Sequence, residues 1–490
     1  MDFMEDQTRK VAKLLSSQWT FVFTLLVFVA ETGYLSLTSR FPMAFDESYH
    51  FSLIKFFSHR LNPIVTSQAG STYGLGAIVQ NPSFLYHYLL SFPYRLVALF
   101  TNSLEVQAVG LRFVNIAFAV ASLIVMRRLL RLLNLSGALT NIVVLVFALT
   151  PVVTALSAQI NYDNLLILAV TLCLYETAAF ARKLDRKIFD AQSLLTLLCL
   201  CLFSSLVKFA FLPVFAGITV LVACKLAFYR PPKKSSRLSV ARKSFAGIAK
   251  TSKLLLLVAG LVSSFLFVRL YGVNLVKYHN PAPQCSQVLN IRDCKHYYAW
   301  DSDYNAQQQE KAHPATDTMN VLGYGVYWLA INGFGIFGAI LPLAGPYYLS
   351  PTFCLIVVIL LTVAFVCMAV NFKKVLKGHK NLLAIIAISL FYALAIWGRN
   401  YHDYLQLGQP VAVDGRYLVP VLIYFYALLG LGAQYALASK QTPQLIIKWA
   451  LVLLVVFSFL YYGGYAQYVT RIYPVYGRIS SSDNFVIDKE

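Results

Sequence analysis

Charge is scarce in this sequence. Of its 490 residues only 13% are Asp, Glu, Lys or Arg, while 58% are hydrophobic, and a chain so poor in charge cannot keep the solvated surface of an ordinary soluble domain. Acids are the scarcer sign: 21 Asp and Glu stand against 41 Lys and Arg, a net charge of +20. Such an excess suits either nucleic acid or an anionic membrane surface. Placement decides, because the basic residues lie in short clusters between apolar stretches and form no stripe interleaved with aromatics. Nucleic acid is therefore excluded as a partner, and membrane lipids are expected. Cysteine is sparse as well, with no CxxC or His/Cys pattern for zinc. Six of the eight (Cys173, Cys199, Cys201, Cys224, Cys354 and Cys367) fall inside apolar stretches, where they serve as packing. Also missing after Lys10 and Lys13 is a small-x-small cleavage site, and the apolar stretch there is too long for a signal-peptide core. It reads as a retained first helix.

What the chain has in quantity is long apolar sequence. A spanning helix needs about 20 apolar residues, and about eleven stretches qualify, near 18 to 37, 108 to 126, 138 to 157, 160 to 180, 191 to 207, 209 to 228, 254 to 272, 351 to 371, 381 to 398, 417 to 438 and 446 to 465. With the N-terminus in the cytoplasm, the groups Arg127 to Arg131, Arg182 to Lys187, Arg230 to Lys253 and Lys373 to Lys380 all fall inside. The apolar segment Tyr324 to Leu343 breaks this pattern if counted as a full span, so it is assigned to the interface or to a re-entrant loop. Its glycines also make it a poor straight helix.

The outer face then receives loops at 38 to 107, 273 to 350 and 399 to 416. In the first, Tyr49, Leu53, Phe56 and Phe57, and again Phe84, Leu85, Tyr88, Leu89 and Phe92, recur at helical spacing and predict two amphipathic interfacial helices. Cys285 and Cys294 lie in the second, where oxidation is permitted, and a disulfide between them would close a short loop. No internal repeat appears. The expected fold is an all-α integral membrane bundle: one module over 1–440 containing the outer loops 38–107 and 273–350, then a last helix and outer tail over 441–490.

Chemistry-bearing residues gather on that outer face. In Phe45-Asp46-Glu47-Ser48-Tyr49-His50-Phe51, two carboxylates and a histidine share a helical face, and spacing leaves helix capping, catalysis and metal ligation all open. Asp163, in Asn161-Tyr162-Asp163-Asn164, is either a cap or a charge that needs a partner. Lys208 and Arg416 sit at outer turns where the positive-inside rule does not put cations, and either snorkel to headgroups or bind phosphate. Glu31 and Arg112 are expected to neutralise each other, and His87 and the run Arg399 to Asp403 are assigned no chemistry.

The acidic string after the first span, the later Asp163, Asn81-Pro82 ahead of Tyr-rich apolar sequence, Lys208 before an aliphatic turn, Trp328 to Pro342 with its Gly-Phe-Gly, and Gly415-Arg416-Tyr417 with Pro420 together resemble the GT-C superfamily. Bacterial protein mannosyltransferases and lipid A aminoarabinose transferases are the relatives most alike. The resemblance runs from about residue 20 to 440. It implies an inverting glycosyltransferase that takes a hexosyl or pentosyl group from a polyprenyl-phosphate carrier to a glycan, lipid or protein acceptor, outside a plasma (inner) membrane. It implies catalytic roles for Asp46, Glu47 and Asp163, and substrate-binding roles for His50, Asn161, Lys208, Arg416 and Tyr417. A divalent cation, Mg or Mn, stays open as a cofactor, with Asp46 and Asp163 as its ligands. The physical case is that a sugar on a lipid phosphate already has a good leaving group, so one base and phosphate-holding cations suffice. A transporter or lipid-linked-saccharide flippase is the alternative, against which stand the absence of repeats and the gathering of charge at one surface. A non-enzymatic assembly protein ranks last.

Overall fold

The computed structural model describes residues 10–43, 46–231, 236–314, 318–338, 351–438 and 442–463, and among them every regular element is helical. Polar caps start the long helices. Ser17, Ser103 and Ser136 accept from backbone N–H groups three residues on, satisfying donors that a helix start leaves orphaned. They open α1 (Gln18–Thr38), α4 (Leu104–Leu132) and α5 (Gly137–Ala148), with α2 (Glu47–Ser58) and α3 (Leu85–Ala98) between α1 and α4. Pro151 begins α6 (Pro151–Ser157) and holds Thr150 extended, so α5 and α6 meet at 65°. The bundle continues through α7 (Tyr162–Asp185), α8 (Ala191–Val207), α9 (Leu212–Phe228), α10 (Lys250–Phe267), α11 (Tyr298–Ala312), α12 (Val321–Gly338), α13 (Pro351–Gly378), α14 (Lys380–Leu407), α15 (Val419–Ala436) and α16 (Thr442–Ser458).

Among the described residues eight helices are long and apolar enough to cross a membrane, or nine if the bent α5 and α6 pair is one span. The chain is a multi-pass membrane protein. The expected eleven also counted α8 and α16, apolar helices of 17 residues each, at the short end of what a span needs. Outward-facing side chains such as Leu261, Val326, Leu394 and Leu453 are at least 61% exposed, as lipid-facing residues of a bundle are, while α4, α7 and α15 form the packed centre with Leu111, Val170, Leu174 and Ile423.

The basic clusters share one end of this bundle. Arg127 and Arg131 reach back to Gln18 and Ser16 at the start of α1, Lys183 pairs with Asp190, Lys225 with Asp185, and His379 after α13 approaches the Leu133 carbonyl at the end of α4. The other end carries α2 and α3. Arg95 joins these two by donating to the carbonyls of Phe57, Ser58 and Arg60, closing the C-terminus of α2. Phe51, Leu53, Ile54 and Phe57 of α2 are buried, so this helix is packed into the protein, whereas Leu89, Phe92 and Leu96 of α3 remain exposed.

Helix α12 covers most of the segment assigned to the interface; residues 339 to 343 lie outside the described residues. It is one unbroken helix despite its glycines. Its first turns place Tyr324 against Tyr404 near the C-terminus of α14, and its last bring Gly335 against Gly415 just before α15. Both contacts lie at the end opposite the basic clusters, so α12 does not run from one end to the other. Glycine here is a packing device: a Cβ on Gly335 would stand 2.7 Å from the Gly415 nitrogen, and one on Gly415 2.7 Å from the Asn332 carbonyl oxygen. Gly335→Ala should therefore cost about 1–3 kcal/mol by overpacking against backbone, read as a lower unfolding temperature in detergent, while Gly333→Ala, where no atom lies within 4 Å, should leave it unchanged.

Candidate functional site

Five segments meet at this end: the start of α2, the start of α7, the α8 to α9 turn, the loop before α15, and the turn after residue 294. Each brings chemistry for a local reason. Asp46 stands at the N-cap position of α2 but takes a left-handed conformation (φ 63°) and makes no capping bond, a geometry that aspartate tolerates better than most residues. Its carboxylate is 64% exposed and pairs with Arg416 Nη2 at 3.1 Å. Capping is thus excluded as the role of Asp46.

The same alternative fails for Asp163. Asn161 is the cap of α7, its side chain accepting from the Asp163 backbone N–H at 2.9 Å, and it is fully buried in that task. Asp163 is left to take Lys208 Nζ on Oδ1 at 2.6 Å, both residues being buried. Its Oδ2 is buried without a hydrogen-bond partner among the described residues. Lys208 sits in an extended break between α8 and the following turn, with Nζ over the rings of Tyr162 (4.2 Å) and Tyr417 (4.6 Å), two faces that favour a cation.

Arg416 is 9% exposed and lies between acids. Asp414, which sequence reasoning missed, caps the turn by accepting from the Arg416 backbone N–H and faces Arg416 Nε at 3.5 Å; its position two residues ahead in Asp-Gly-Arg was the available signal. Burial raises the Asp414 pKa, and Arg416 opposes that rise. The Tyr417 hydroxyl accepts from Arg416 Nη2 at 3.0 Å, so one tyrosine touches both cations, with its hydroxyl and its ring.

Glu47 departs from its expected catalytic role. It is completely buried: Oε1 accepts from Arg112 Nε and the Ile160 N–H, and Oε2 from Arg112 Nη2 and the Met43 N–H, at 2.6–3.0 Å. No lone pair is left for a substrate. Arg112 also differs from expectation, because its acid is Glu47 and its remaining donors go to the carbonyls of Ser36, Ser39 and Arg40. The pairing of residues 65 positions apart leaves no trace in sequence spacing.

His50 is buried and bonded to His87, 2.9 Å between Nδ1 and Nε2, with Tyr162 4.6 Å from its ring. Burial drives both histidines to the neutral form. His87 is pushed down to about 3, and His50 well below its usual value, by desolvation first and then by His87, Arg416 and Lys208. His87 carried no sequence signal; only the fold supplies its partner.

The acids do not fit a divalent cation. Glu47, Asp163 and Asp46 are each held by a cation of their own, and among the described residues no group of three or more His, Cys, Asp or Glu converges as metal ligands would. Cys285 and Cys294 form a disulfide, Cα atoms 5.8 Å apart.

Two outcomes follow. Glu47→Gln should destabilise the protein by about 3–5 kcal/mol, the scale of leaving a buried charge unpaired, seen as loss of the folded peak in size exclusion or a large fall in unfolding temperature. The histidine pair makes stability pH-dependent. Its folded pKa values lie below the unfolded 6.5, so stability is complete above pH 6.5 and is lost as the pH falls below it, toward pH 3 for His87, by about 1.4 kcal/mol per pH unit for each histidine. Melting from pH 7.5 to 5 should show this slope, and His87→Gln should flatten it.

No protein-family model matches the sequence, and no curated protein matches it. Solved structures do. The archaeal oligosaccharyltransferase AglB from Archaeoglobus fulgidus, in complex with an inhibitory peptide and a dolichol-phosphate, is similar with a TM-score of 0.46 and 11% identity over 91% of this chain and 56% of that one. The Archaeoglobus fulgidus oligosaccharyltransferase tethered with an acceptor peptide containing the NVT sequon gives 0.48 and 11% over 91% and 54%, and its apo form 0.48 and 13% over 92% and 57%. This chain spans a little over half the length of those proteins.

Proposed function

We propose that this chain is an inverting glycosyltransferase of the GT-C type, moving a sugar from a polyprenyl-phosphate carrier to an acceptor hydroxyl at the outer face of the membrane. The observation that carries the proposal is one exposed carboxylate beside two buried cations: Asp46 on Arg416, with Lys208 joined to Arg416 through Tyr417. The acceptor oxygen attacks the anomeric carbon, the bond from that carbon to the phosphate oxygen breaks, and the acceptor proton passes to Asp46. The phosphate leaves with the bonding electrons, its charge met by Arg416 and Lys208. Asp163 serves this step through Lys208, whose ammonium it holds in place. A single displacement inverts the anomeric centre and needs no second carboxylate as nucleophile.

Outer placement rests on the basic clusters at the opposite end, the cytoplasmic end by the positive-inside rule. A transport role has less support, since transporters hold substrate near the bilayer midplane and these ion pairs cluster at one end of the bundle.

Purified protein should release polyprenyl phosphate from one member of a panel of polyprenyl-phosphate hexoses and pentoses. Asp46→Asn should reduce that release about 10²–10⁴-fold, as loss of a general base does, without lowering the unfolding temperature, because this carboxylate is exposed. Full turnover by Asp46→Asn would remove it from the mechanism. Cytoplasmic labelling of a cysteine placed at Ser71 would overturn the outer assignment.

A further inference from the structure

The segment following α10 carries a short stapled hairpin, two four-residue helices at Cys285–Val288 and Ile291–Cys294. Helices this short do not hold themselves. Between residues 281 and 294 the two cysteines are the only buried side chains, so the disulfide is the core of this unit. Tyr297 hangs directly from it, its backbone N–H donating to the Cys294 carbonyl at 2.9 Å.

The Tyr49 hydroxyl donates to the Leu75 carbonyl oxygen, and the Tyr297 ring stacks on Tyr49 at 5.6 Å. On its other side it lies against Gly76, where φ is +71° and a Cβ would stand 2.8 Å from the ring. Tyr49 follows Asp46 by three residues and precedes His50, whose ring packs on Tyr162 below Lys208. Burial raises the hydroxyl pKa of both tyrosines, Tyr297 to about 12, so they stay neutral at any physiological pH. The hairpin is thus wired to the candidate site through one aromatic stack.

We propose that Tyr297 is a positioning residue for the acceptor side of the site, holding the Tyr49 ring in place because the Cys285 to Cys294 disulfide holds Tyr297, while Asp46 is held separately by Arg416 and by the Glu47 anchor beside it. This rests on the transferase proposal. Donor phosphate binding, assigned to Arg416 and Lys208 on other segments, is outside its reach, so the effect falls on acceptor affinity alone.

The experiment uses the full chain, the polyprenyl-phosphate sugar that is turned over, and octyl glucoside as the acceptor probe. Tyr297→Ala should raise the KM for octyl glucoside about tenfold, the scale of one lost aromatic stack, with kcat and donor KM unchanged, and Tyr297→Phe should restore most of it. Dithiothreitol, or Cys285→Ser with Cys294→Ser, should give the same rise. Combined with Tyr297→Ala, neither should add to it. Nitration of Tyr49 by tetranitromethane should increase on reduction, a readout independent of turnover. An unmoved acceptor KM in Tyr297→Ala, or effects of reduction and substitution that multiply, would overturn this inference and leave the transferase standing. Absence of any sugar transfer by the unaltered protein would remove both.

Discussion

The buried pair of Glu47 and Arg112 is the constraint on which the site end is built. Each group is nearly or fully sealed from solvent, where an isolated charge is prohibitively costly. The arrangement is tolerated because it is saturated: four acceptor positions on the carboxylate and all the donor directions of the guanidinium are filled. Their partners come from the end of α1, the loop after it, α4, and the turn at Ile160 that leads into α7. Four pieces distant in sequence are thereby fixed to one another, and α2 begins where they meet.

That anchor explains the conformation of its neighbour. With Glu47 pulled inward as the first residue of α2, Asp46 is placed in the left-handed region and points away from the helix it precedes. Strain of this kind persists only where surrounding structure over-determines it, and the saturated pair supplies that rigidity. Adjacent acids therefore do opposite work. One is spent on architecture, and the other is left at the surface with a single cation for company.

Legibility in the sequence followed the range of the interactions. Long apolar stretches depend on local composition, and among the described residues eight of the eleven are long apolar helices, the others being the pair bent at Pro151 and two shorter apolar helices. Asp46, Asp163, Lys208 and Arg416 stood out because charge beside a membrane is rare. The structure brings them into two linked ion pairs through Tyr417. Roles within the group were not legible. Whether an acid caps a helix depended on φ at Asp46 and on the competing side chain of Asn161, and Glu47 was indistinguishable from Asp46 until a partner 65 residues away was placed. The glycines of α12 misled for a related reason: low helix propensity is a local penalty, outweighed here by a backbone approach at Gly415 that only the fold reveals.

Charge balance gives the site its chemical direction. Four acids meet three cations, Arg416 facing both Asp414 and Asp46, but their burial is graded from Glu47 through Asp163 and Asp414 to Asp46, and the strength of an ion pair falls as water gains access. The Glu47 pair is permanent. The Asp46 pair, open to solvent on its acidic side, is the one that an anionic ligand can exchange most readily, since a phosphate offers Arg416 more charge and more acceptors than a carboxylate does. Lys208 is anchored by Asp163 and the two tyrosine faces, independently of the Asp46 pair. A leaving phosphate needs positive charge fixed before it arrives, because charge that must first reorganise stabilises a transition state less. Under the transferase proposal that fixed charge would be Arg416 and Lys208, side chains held by aromatic rings and carboxylates.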